Sequence, residues 1–142
     1  MNSQATLVEG CFQSIVDNGG HHGIVLDLPG NKGGQDVAPT ALELAVMALS
    51  GCISTIWAVV AKNSGVSYRK FTVDVEAEKP DDQPTITTAT ATVRVESEES
   101  GDKLERTLEK VMRTCPVGQL YEKAGIHITT KLLKVQPAGQ AA

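Results

Sequence analysis

Residues 44–61, LAVMALSGCISTIWAVVA, carry no charge over 18 positions. A stretch of that length and polarity is either a membrane span or the interior of a packed domain. Its contents and flanks favour the interior. The run includes Ser50, Gly51, Cys52, Ser54 and Thr55, shows no Lys/Arg asymmetry at its ends, and stands between β-patterned stretches that need a core to cover them. It reads as a helix from Thr40 to about Lys62, roughly 34 Å long at ~1.5 Å per residue. Being apolar on nearly every side, it is expected to be buried on every side. A chain of 142 residues has few elements with which to surround such a helix. The expectation is therefore a homodimer packed around it, with Ala48, Ser50 and Gly51 small enough for a second backbone to approach.

The rest of the chain is patterned as strands and shorter helices. Ala5–Val16 and His22–Leu28 are β-rich runs joined by Asp17-Asn18-Gly19-Gly20, residues that tolerate positive φ and suit a hairpin. The glycine-rich loop Pro29–Asp36 follows. Tyr68–Lys79 alternates, with Phe71, Val73, Val75 and Ala77 on one face. Thr85–Glu96 does the same with Ala89, Ala91, Val93 and Val95, so both are half-buried antiparallel strands. The acidic run Glu96–Glu99 reads as a solvated loop. A helix from about Asp102 carries Leu104, Leu108 and Val111 on a stripe that Cys115 continues. A shorter helix runs from Pro116 to a stop at Gly125, and Ile126–Val135 is a final strand. The order β-β-α-β-β-α-β makes the class α+β. One domain is expected over 1–142, ordered over about 5–135, with a loose tail at 136–142.

Composition narrows the function. The net charge is −4 and the 13 basic residues are scattered, which argues against a nucleic-acid partner. The start, MNSQATLVEG, lacks the basic and apolar regions of a secretory signal, so a cytoplasmic location is expected. Three cysteines, at 11, 52 and 115, are too few and too scattered for a disulfide framework. With no CxxC or CxxH pair they do not form a zinc motif, and neither a metal nor another cofactor is expected.

Among residues able to carry chemistry, Cys115 stands directly before Pro116. Proline suits the first position of a helix, which places Cys115 at the cap, where free N–H groups favour a thiolate. As a small buried hydrophobe at a kink, the same residue would be inert. Cys52 lies mid-helix in apolar surroundings and on its own reads as core. Thr40-Ala41-Leu42-Glu43 fits a capping box, and Glu43 stands ~13.5 Å along the helix axis from Cys52, half a turn out of phase. His21 and His22 at the hairpin turn and His127 on the last strand read as surface residues. Cys11 reads as packing on an N-terminal strand.

Gly33-Gly34-Gln35-Asp36-Val37-Ala38-Pro39-Thr40-Ala41-Leu42-Glu43-Leu44, then Ala48-Leu49-Ser50-Gly51-Cys52 and the later Cys115-Pro116-Val117, together resemble the family of osmotically inducible protein C and organic hydroperoxide resistance proteins. The resemblance implies an intertwined α+β homodimer, with antiparallel sheets around long central helices and two sites at the subunit interface. It implies that Cys52 is peroxidatic and Cys115 resolving. It further implies an organic hydroperoxide as substrate and a dithiol reductant, of the lipoyl type, that restores the pair. Glu43 matches the glutamate that in the peroxidases pairs with a thiol-activating arginine. That arginine belongs to the N-terminal hairpin, yet residues 1–68 contain none; the four present are Arg69, Arg94, Arg106 and Arg113. His21 or His22 could stand in only when protonated. The departure places the chain in a broader branch of the family, with two readings open: a peroxidase of reduced activity, or a redox-responsive or ligand-binding dimer without turnover.

Overall fold

The computed structural model describes residues 1–136; all but the first residue of the tail expected at 136–142 lies outside them. The elements are β1 (Gln4–Leu7), β2 (Ser14–Asp17), β3 (Gly23–Leu26), a single 3₁₀ turn (Gly30–Lys32), α1 (Ala41–Asn63), β4 (Lys70–Glu78), β5 (Thr88–Glu96), α2 (Gly101–Thr114), α3 (Pro116–Lys123) and β6 (His127–Val135). The class is α+β, as expected. The chain groups into two compact units, one over Met1–Ala45 and one from Val46 onward, each with its own three-stranded sheet.

In the first unit β1, β2 and β3 form an antiparallel meander. The β-rich run expected over Ala5–Val16 is two strands, because Gly10 turns the chain at φ +77° and Val8 N–H donates to Gln13 O at 2.8 Å. Cys11 consequently sits in this turn rather than on a strand. At the next turn the Asp17 and Asn18 side chains accept from Gly19 N–H at 2.7 Å and Gly20 N–H at 3.0 Å, the local bonding that makes these residues turn formers.

The glycine-rich loop is irregular yet tightly tied. Asp27, 2% exposed, accepts from the N–H groups of Leu28 (2.8 Å), Gln35 (3.1 Å) and Val37 (3.3 Å). Burial alone would raise its carboxyl, but these backbone donors, with the Gln13 side chain, hold it below the ordinary carboxylate value. The loop delivers the chain to α1 through the expected capping box. Thr40 N–H donates to the Glu43 carboxylate at 2.7 Å, and Glu43 N–H donates to Thr40 Oγ1 at 3.1 Å.

In the second unit the sheet order is β4-β5-β6. β4 and β5 pair antiparallel, with Val73 opposite Val93 and Val75 opposite Ala91; β6 joins parallel to β5, with Val93 opposite Leu132. A parallel neighbour needs a crossover, and α2 with α3 supplies it. Alternation along β5 sends Ala89, Ala91, Val93 and Val95 into the core, where they meet Leu49, Ile53, Trp57 and Ala61 of α1 and Leu104, Leu108 and Val111 of α2. Trp57 stacks on Phe71 at 4.7 Å between ring centres.

Two expectations change here. α1 is long and apolar enough to cross a membrane, but only the i, i+4 stripe Leu49, Ile53, Trp57, Ala61 is buried; Leu42, Met47 and Val59 are exposed within the single chain. An all-round apolar helix thus has one buried stripe in the chain alone. The acidic run is also not a free loop. Ser97, 1% exposed, donates its hydroxyl to Ser67 O at 2.6 Å. Glu99 accepts from Ser67 N–H and Lys103 Nζ, which holds its carboxyl below the ordinary value.

Candidate functional site

The break between α2 and α3 falls at Cys115. Its N–H closes the last turn of α2 by donating to Val111 O at 2.8 Å, and its carbonyl accepts the first bond of α3 from Gln119 N–H at 3.0 Å. Extended backbone at Cys115 and Pro116 at the first position of α3 complete the cap. The side chain faces inward with no solvent exposure, and Sγ accepts from Gly118 N–H at 3.4 Å. The sequence places the residue well but misjudges its proton. Burial first, and then the hydrogen bond to Cys52, push the thiol up from 9.0 to about 11, outweighing the lowering by the Gly118 N–H. A capping position in a dry interior keeps this thiol protonated.

Cys52, one residue before the buried Ile53 on α1, is half-buried. Its Sγ lies 3.0 Å from Cys115 Sγ, which donates to it across 63 residues of sequence. Both thiols are free. The fold therefore brings together two cysteines that no sequence spacing links, one reachable from outside and one closed off. A reduced pair in contact can pass between dithiol and disulfide without rearranging the elements that carry it.

Glu43 is exposed and occupied by the capping box; the Thr40 N–H and then its hydroxyl lower its carboxyl. His21 and His22 are exposed at the β2–β3 turn, and His127 is the exposed first residue of β6. The Cys11 thiol donates to Val8 O at 3.6 Å. Among the described residues, no three His, Cys, Asp or Glu side chains gather into a metal-binding group. A cavity of about 500 Å³ opens between α2, α3 and β6, lined by Leu108, Met112, Ile128 and Leu132 together with charged residues. Neither cysteine lines it. Sequence reasoning missed Asp27, whose one visible signal is an acid between two leucines at the mouth of a glycine-rich loop.

Comparison with known proteins agrees with this architecture. No curated protein matches the chain. A solved OsmC-like protein from Mycoplasma pneumoniae superposes with a TM-score of 0.83 at 14% identity, covering 94% of this chain and 96% of that one. An organic hydroperoxide resistance protein from Legionella pneumophila gives 0.71 at 14% identity, over 93% and 96% of the two chains. One from Elizabethkingia anophelis gives 0.70 at 17% identity, over 96% and 95%. These likenesses establish the fold. The model of the OsmC-like protein family matches residues 33–131, a span from the loop before α1 through both cysteines into β6, and the chain therefore belongs to that family.

Proposed function

We propose that the protein reduces organic hydroperoxides through Cys52 and Cys115. The observation that carries this reading is the 3.0 Å contact between their sulfurs. Exposure supports Cys52 as the attacking thiol and Cys115 as the resolving one: a peroxide can reach half-buried Cys52, whereas Cys115 is closed to solvent. The Cys52 thiolate attacks the terminal peroxide oxygen and the O–O bond breaks. Cys52 becomes a sulfenic acid, and the alkoxide takes a proton and leaves as the alcohol. Cys115 then attacks the sulfenic sulfur; its proton leaves with the hydroxide as water, and a disulfide forms. An external dithiol reduces the disulfide and is itself oxidised to a disulfide.

Solved proteins of the same fold from Legionella pneumophila and Elizabethkingia anophelis are named organic hydroperoxide resistance proteins, which supports the substrate class. The absence of arginine from residues 1–68 favours a second reading, a thiol switch that oxidises reversibly without turnover. The working unit in either case is a cytoplasmic homodimer. Met47 and Val59 stand exposed on α1, and a Cβ on the intervening Gly51 would meet nothing, so that face has room for a second copy. Sedimentation at about twice the 15.0 kDa chain mass is the expected result; a monomer at micromolar concentration would count against it.

The test of function is consumption of tert-butyl hydroperoxide driven by dihydrolipoamide. Wild type consumes it steadily, and Cys52→Ser falls to the buffer rate. Cys115→Ser completes no cycle: it consumes one peroxide to reach the sulfenic acid and a second to reach the sulfinic acid, which accumulates at Cys52. A stoichiometric disulfide without steady consumption would support the switch. Wild type no faster than the double serine variant, with no disulfide formed, would overturn both readings.

A further inference from the structure

We infer that Cys115 and the backbone N–H of Gly118 form a hydrogen-bond relay that stabilises the Cys52 thiolate, the task for which residues 1–68 offer no arginine. The inference rests on the thiol-pair reading above and gives Cys115 a second role, exercised before any disulfide forms. Gly118 N–H, at the third position of α3, points at Cys115 Sγ from 3.4 Å. Cys115 in turn directs its S–H at Cys52 Sγ from 3.0 Å. Donor, bridge and acceptor lie in series, so the positive end of α3 is carried one bond further than a cap alone reaches.

Three features make the bridge a donor rather than a competing thiolate. Cys115 is closed to solvent, so its own ionisation would place a charge in the core with water excluded. Its backbone is fixed on both sides by the closing bond of α2 and the opening bond of α3, which leaves the sulfur little freedom to turn away. The charge that acts on Cys115 is that of Cys52, which raises the Cys115 thiol further. The pair therefore divides one ionisation unequally. Cys115, the member closed to solvent, keeps its proton and points it at Cys52 Sγ. The same proton later leaves as water when Cys115 attacks the sulfenic acid, so stabilising the nucleophile and resolving the product draw on one S–H.

The test reads the ionisation of Cys52 without using peroxide. In a Cys11→Ser background, the rate of Cys52 alkylation by iodoacetamide is followed from pH 5 to 11 by peptide mass mapping. Each rate is divided by its own high-pH plateau, which removes differences in access. Cys115→Ala is expected to lower this ratio at pH 7 about tenfold, one unit of alkaline displacement in the profile. Cys115→Ser, whose hydroxyl still donates, should keep most of the wild-type ratio. An unchanged ratio in Cys115→Ala, or equal losses in the alanine and serine variants, would overturn the relay. Failure of the redox reading appears separately, as absent peroxide consumption and absent disulfide whatever the profile.

Discussion

Trp57→Ala is expected to lower the free energy of unfolding by about 4 kcal/mol, the middle of the range for aromatic truncations in a core. Trp57 has no solvent exposure, stacks on Phe71 with rings 23° from parallel, and meets Tyr68 edge-on at 6.1 Å. Removing it leaves a hole where α1 crosses the sheet and takes both aromatic contacts with it. A domain of this size has a margin of ~5–15 kcal/mol, so the variant should unfold at much lower urea. Trp57→Phe separates packing from polarity. The indole Nε1–H is buried with no partner among the described residues, an arrangement that itself costs about 1–3 kcal/mol. Phenylalanine keeps the stack and removes the orphan donor, and should lose less than half as much. Equal losses in the two variants would show that the indole's volume alone holds this contact.

Gly34→Ala is expected to destabilise the first unit by about 3 kcal/mol. A Cβ at Gly34 would sit 1.8 Å from Leu28 O and 2.4 Å from its carbonyl carbon, backbone atoms with no flexible end to move aside. The loop would have to lift from Leu28 and surrender the bonds from Asp36 N–H to Leu28 O and from Gly34 N–H to Pro29 O. Gln35 and Val37 would then withdraw their donors from the Asp27 carboxylate. Faster hydrogen exchange at the amides of Gln35 and Val37, with a lowered urea midpoint, is the expected signature. Gly30→Ala, in the same loop but with open space around its Cβ, should change stability by less than ~0.5 kcal/mol. Were both variants equally mild, the loop would be looser than its bonds imply.

The elements governed by local rules were legible in the sequence. Period-two alternation located β4 and β5 to within three residues at their ends, and the Thr40/Glu43 capping box set the start of α1 to within one residue. Pro116 marked the helix restart and with it the place of Cys115. What failed depended on contacts distant in sequence. Val8 and Cys11 look like strand residues until Gly10 turns the chain between them. The parallel pairing of β6 with β5 follows from how the crossover packs, which no pattern within β6 announces. The Cys115 cap was foreseen, but its ionisation was not, since burial and the approach of Cys52 exist only in the folded chain. The resemblance drawn from the two motifs named the cysteines; the geometry between them was beyond any local reading.

The separation of 63 residues between the paired thiols also sets a time. At ~5–20 residues per second during synthesis, Cys52 emerges about 3–13 s before Cys115, and the crossover that carries Cys115 is anchored only once β6 has been made and has docked on β5. Throughout that interval the nascent chain exposes a thiol with nothing to resolve it. On the proposed peroxidase reading, an oxidant encountered then carries Cys52 past the sulfenic acid with no second thiol to capture it.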